Sequence, residues 1–158
     1  MMAKSHVVVG IAAWVAAAPL LHFSPVDPLY LGLAVAGALL PDVDHPQSWI
    51  GRRTRPLSTT LAKILGHRGV THSAIAVLGL VALLLHVGYR RGEVSALAIG
   101  YASHLAADML TPRGLRLAWP LKQSWGLPLC RTGSAAEPAI VVALAGGVAW
   151  WRFSNLLG

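Results

Sequence analysis

Five apolar segments, at 6–22, 29–42, 70–88, 94–111 and 137–152, are parted by short turns and by two long basic connections, 43–69 and 112–136. A bilayer-spanning helix needs roughly 20 mostly apolar residues. The third and fourth segments approach that length, and the others are shorter. Inside lipid every backbone polar group must find a partner within the chain, so helices are the expected element. Composition agrees. Charged residues make up only 12% of the chain, where a soluble domain carries about a quarter, and mean hydropathy is +0.59. The expected fold class is therefore all-α: a polytopic membrane helical bundle of about four to five apolar helices, in a single integral membrane domain over 1–158. Segment 29–42 holds only the short run "LYLGLAVAGALL". It either spans with help from its flanks or dips in partway against protein.

Lys4, Val7–Val15 and Ala16-Ala17-Ala18 imitate a secretion signal, but Pro19 directly after them argues against cleavage. Cys130 is the single cysteine, which excludes an intrachain disulfide.

The net charge is +7. A basic face can bind nucleic acid, but no base-reading or stacking motif accompanies it, so no nucleic-acid partner is expected. The alternative is that Lys and Arg mark cytoplasmic loops. If all five segments cross, Lys4, Arg52, Arg53, Arg55, Lys63, Arg68, Arg113, Arg116, Lys122 and Arg131 share one side, and only Arg90, Arg91 and Arg152 fall on the other. The crowded side is then cytoplasmic, in a multi-pass protein of a bacterial or archaeal inner membrane. Trp119 and Trp125, among leucines and cations, make 113–130 either a stretch lying along the headgroups or an ordinary basic loop.

The same topology gathers polar residues that played no part in setting it. His6 opens segment one; Asp42, Asp44 and His45 of "PDVDHP" close segment two; His67 and His72 of "HRGVTHS" flank the start of segment three; His104 and Asp108 of "HLAAD" lie near the end of segment four. All eight belong at the cytoplasmic end. His104 and Asp108 are four apart, on one helix face, and roughly 5–10 Å inside the helix end. Ionisable groups at that depth usually have partners or mark a function. Imidazoles and carboxylates without thiolates suit a divalent metal, zinc first, with manganese or magnesium as alternatives. Eight donors exceed the four of one tetrahedral ion, which leaves room for two ions.

Plainer readings stand beside these. His104 and Asp108 could be an interhelical hydrogen-bonded pair. Asp42 could end a helix and Asp44 form a turn. His6 could face headgroups, and His45 could orient a ligand instead of binding metal. His22 and His86 read as interfacial side chains, Asp27 as a turn residue beside two prolines, and Ser5, Thr71, Ser73 and Ser103 as caps or hydrogen-bonding supports. Arg68, between two histidines, either clamps an anionic oxygen or marks the cytoplasmic side.

The early His6, "LLPDVDH" at 39–45, "HRGVTHS" at 67–73 and "GYASHLAADMLTPRGLRLAWP" at 100–120 resemble, in order and context, the YdjM-like family of membrane-bound metal-dependent hydrolases. The resemblance covers nearly the whole chain. "HLAAD" also resembles an element of the zinc-dependent phospholipases C and zinc nucleases, although a second H-x-x-x-[DE] helix is missing. The expected activity is hydrolysis of a phosphoester in a membrane lipid or lipid-linked substrate. Asp44 or Asp42 would bridge ions or take a proton from water, and Arg68, with Arg113 or Arg116, would hold phosphate. The rivals are a non-enzymatic metal-binding protein or transporter, and a structural helix clamp. Oligomeric state is not legible.

Overall fold

The computed structural model describes residues 1–65, 69–121 and 123–157. Its helices are α1 (Ala3–Ala17), α2 (Pro28–Leu39), α3 (Trp49–Arg53), α4 (Arg55–Leu65), α5 (Ala74–Val87), α6 (Arg91–Met109) and α7 (Ala136–Leu157). Among the described residues the only β pairing is an isolated bridge between Leu115 and Trp125.

Local chemistry explains the boundaries. Pro19 cannot donate a helical hydrogen bond, so α1 tightens into a 3-10 turn over Ala18–Leu21, and His22 ends it at φ 61°. Asp27 proves to be an N-cap: its carboxylate accepts from Leu29 N at 2.8 Å, with Pro28 opening α2. Pro41 lies in the 3-10 turn Leu40–Asp44 that follows α2. Ser48 and Ser73 cap α3 and α5. Glu93 reaches back to Arg90 N at 3.2 Å at the start of α6.

The five apolar segments correspond to α1, α2, α5, α6 and α7. The long basic connection 43–69 is not merely a loop: it contains α3 and α4. Segment three is shortened because Val70–His72 forms its own 3-10 turn, which leaves α5 at 14 residues. Among the described residues one helical stretch, Ala3–Leu21, is long and apolar enough by itself to cross a bilayer.

Helix α6 is the centre of the fold and packs against α2, α1 and α5, while α7 packs on α1. The approach of α2 to α6 depends on missing side chains. A Cβ at Gly100 would lie 2.0 Å from Ala34 O, and one at Gly37 would lie 2.1 Å from Leu97 O. Small residues are what allow helix backbones to pack this closely in a membrane. Above this contact Trp14 packs with Phe23 and Tyr30. Elsewhere the surface is strongly apolar: Leu78 and Leu83 of α5 and Val142 and Trp150 of α7 are all exposed. Patches of this kind call for a partner or a lipid solvent. In the connection after α6, Leu115 fills the core beside Tyr101 and Leu105, whereas Leu121, Trp125 and Leu127 face outward.

Candidate metal centre

Five of the polar residues singled out in the sequence meet in one place. His6 comes from α1, Asp42 from the turn after α2, His72 from the turn before α5, and His104 and Asp108 from α6. Their ligand atoms form two overlapping triads: His6, His104 and Asp108, and Asp42, His72 and His104. Within each triad these atoms lie within 4.8 Å of one another. His6 Nε2 is 3.3 Å from Asp108 Oδ1. His104 Nε2 is 3.8 Å from Asp108 Oδ2 and 3.9 Å from Asp42 Oδ1. His72 Nε2 is 3.8 Å from Asp42 Oδ1. The His6 and His104 rings stack at 3.7 Å, and His72 meets His104 edge-on at 5.3 Å.

His104 shows how the ligands are aimed. Its Nδ1 lies 2.7 Å from Ala38 O. A carbonyl can only accept, so Nδ1 carries the proton and Nε2 presents its lone pair to the triads. Among the described residues His104 Nε2 and His6 Nδ1 are buried without a hydrogen-bond partner. Leaving such atoms unmatched is costly, and a cation held by the triads would match His104 Nε2. Three imidazoles and two carboxylates fit a divalent transition metal.

Asp44 and His45 take other positions. Asp44 is fully buried, and its Oδ2 accepts from Thr71 Oγ1. Thr71 Oγ1 also lies 3.1 Å from His72 Nδ1, so Asp44 supports His72 from behind. Tyr101 donates its hydroxyl to Thr71 O and ties this turn to α6. His45 lines a cavity of about 750 Å³ that opens over Asp42 and Asp108. His67 and Arg68 lie outside the described residues. His86 is exposed on α5, and His22 caps the turn after α1; neither belongs to a triad.

One supporting residue was missed in the sequence. Glu137, at the head of α7, is buried and accepts from Met2 N at 2.6 Å, Gly133 N at 2.7 Å and Ser5 Oγ. It anchors the start of α1, one residue from His6. The available signal was a lone carboxylate opening an apolar segment. The amino group of Met1 meets Asp108 Oδ1 nearby.

The family model described as YdjM inner membrane protein matches residues 1–157. The chain belongs to the YdjM family. It is 38% identical over 128 residues to the inner membrane protein YdjM of Escherichia coli, a match covering 77% of this chain and 65% of that relative, a little under two thirds of its length. It is 37% identical over 145 residues to the uncharacterized protein YvsG of Bacillus subtilis, covering 91% of this chain and 89% of the relative. No solved structure matches. Membership in a family of inner membrane proteins accounts for the apolar outer faces of α5 and α7.

Proposed function

We propose that this YdjM-family chain is a multi-pass, metal-dependent hydrolase whose substrate is a phosphoester reached from the cytoplasmic side of the membrane. The observation that carries the reading is the pair of triads sharing His104 Nε2 beneath an open cavity. The excess of Lys and Arg at that end supports its cytoplasmic placement. His6, Asp42, His72, His104 and Asp108 would hold the ion, with zinc favoured over manganese or magnesium. When bound, such an ion supplies Lewis acidity toward a water and toward a phosphoryl oxygen.

The chain's own groups divide the remaining work. Asp42 keeps 19% of its side chain exposed and lines the cavity, which suits it to take the proton of an attacking water. Asp44, held by Thr71, orients His72. The Ala38 carbonyl keeps His104 in its ligating tautomer. Burial of the three histidines excludes bulk water behind the reacting position. A transport role would want polar groups continuing across the fold. Instead Trp14, Phe23 and Tyr30 pack ring against ring, with Trp14 about 12 Å along α1 from His6.

The test is elemental analysis of detergent-purified protein, followed by hydrolysis of p-nitrophenyl phosphate with and without added metal. Wild type and His86→Ala should carry a transition metal, and Asp108→Ala should lose it. Metal-dependent phosphate release by the wild type and His86→Ala, but not by Asp108→Ala, would support the hydrolase. No metal in the wild type, even after soaking with zinc or manganese, would sink the reading. Bound metal without turnover would favour a non-enzymatic metal-binding protein.

A further inference from the structure

The chemistry around the metal centre extends into two adjoining spaces of opposite character. The cavity of about 750 Å³ has Asp42 and Asp108 on its wall and four cations, Lys4, Arg52, Arg113 and Arg131, around it. None of these four cationic side chains enters an ion pair or hydrogen bond among the described residues. The two acids on the same wall, Asp42 and Asp108, are turned toward the histidines. Beside the cavity runs an apolar groove of about 370 Å³, lined by Val7, Val8 and Leu39. Ala3, Lys4 and Trp49 line both spaces. The Trp49 ring at this junction is held by Arg53, whose guanidinium lies 3.8 Å over it and donates to Trp49 O at 3.0 Å.

We propose that cavity and groove together form one binding site for a bilayer lipid ending in a phosphate monoester; this rests on the phosphoester reading above. Charge complementarity selects the head. Four uncompensated cations suit a group with close to two negative charges, and guanidinium forks match phosphate oxygens. The groove selects the tail. Val7, Val8 and Leu39 offer it only hydrocarbon, and Trp49 sits where an aromatic ring belongs, at the boundary between chain and head. The head is thereby brought against Asp42 and Asp108, at the mouth of the metal centre. A water-soluble phosphoester would fill the cavity and leave the groove empty.

Equilibrium binding of radiolabelled dioleoyl phosphatidate, dioleoyl phosphatidylcholine and glycerol 3-phosphate to the full-length chain in detergent tests this. The protein is first stripped with EDTA, so that lipid binding and metal chemistry can fail separately. Phosphatidate should bind at least tenfold tighter than phosphatidylcholine. The double variant Arg52→Gln/Arg131→Gln should bind it about tenfold more weakly, as expected for lost charge-assisted hydrogen bonds. Val8→Trp should weaken phosphatidate but leave glycerol 3-phosphate unchanged. Arg91→Gln, about 25 Å from Asp108 along α6, should change nothing. All the substituted side chains lie on the surface, and an unchanged thermal transition checks each fold.

Equal affinity for the two lipids would overturn the proposal, as would glycerol 3-phosphate binding as tightly as phosphatidate, or Val8→Trp having no effect. If phosphatidate binds selectively but no phosphate is released after zinc or manganese is restored, the lipid site stands and the hydrolase reading falls. Metal-dependent release from p-nitrophenyl phosphate without selective lipid binding would give the reverse.

Discussion

The side chain of His104 and the carbonyl of Ala38 are 66 residues apart in the chain, and Nδ1 and oxygen meet at 2.7 Å across the α2–α6 contact. That one hydrogen bond makes helix packing and ligand geometry the same event. The proton it holds on Nδ1 leaves a single lone pair, on Nε2, for the two triads.

A single lone pair serves one ion, and without His104 each triad is left with two of its groups. The wild type should therefore bind about one metal equivalent that depends on His104, and His104→Ala should remove it. Elemental analysis with protein quantified by amino-acid analysis reads this directly. Metal content unchanged in His104→Ala would show that the triads are not the site.

Thr71→Val removes the hydroxyl between Asp44 and His72 while keeping the side chain's shape. Loss of an outer hydrogen bond to a metal ligand typically costs 10–100-fold in affinity, so a weakening of about 10-fold or more is expected. Competition with a chromogenic chelator measures it. Unchanged affinity would mean that Asp44 has no part in orienting His72.

Glu137→Ala leaves Met2 N, Gly133 N and Ser5 Oγ without their shared acceptor. Of these, Ser5 Oγ is buried, and a buried group left unmatched costs about 1–3 kcal/mol; the start of α1 also carries His6. Both the thermal transition in detergent and the metal content should fall. Stability lost with metal affinity intact would show that His6 is placed by other contacts.

Gly100→Ala drives a methyl into the Ala34 carbonyl, where only backbone can yield. A loss of about 1–3 kcal/mol, typical of overpacking, is expected, with a lower thermal transition. Gly79→Ala is the matched control, because nothing lies within 4 Å of a Cβ there. Equal effects at both positions would contradict the α2–α6 packing.

The apolar segments and their breaks were readable in the sequence, because residues such as Pro19 and Pro41 act on the backbone within a residue or two. The ligand types were readable as well: His104 and Asp108 share a helix face by spacing alone, and the basic loops grouped them with His6, Asp42 and His72. Two local features went unread. Asp27 looked like a turn residue because a cap and a turn use the same carboxylate chemistry. Helices α3 and α4 were hidden in a connection too polar to register as apolar segments.

The sequence by itself determined the five apolar segments, the membrane character, the family and the set of candidate donors, since all of these follow from residue type and near-neighbour spacing. Only the tertiary structure decided which donors meet. Asp42 and Asp44 are two residues apart, yet one faces the triads and the other supports His72 through Thr71. Glu137 reaches Met2 across 135 positions. Such pairings depend on how α1, α2, α6 and α7 pack, and that packing is set by the fit of small residues such as Gly37 and Gly100 against distant backbone, which no local pattern encodes.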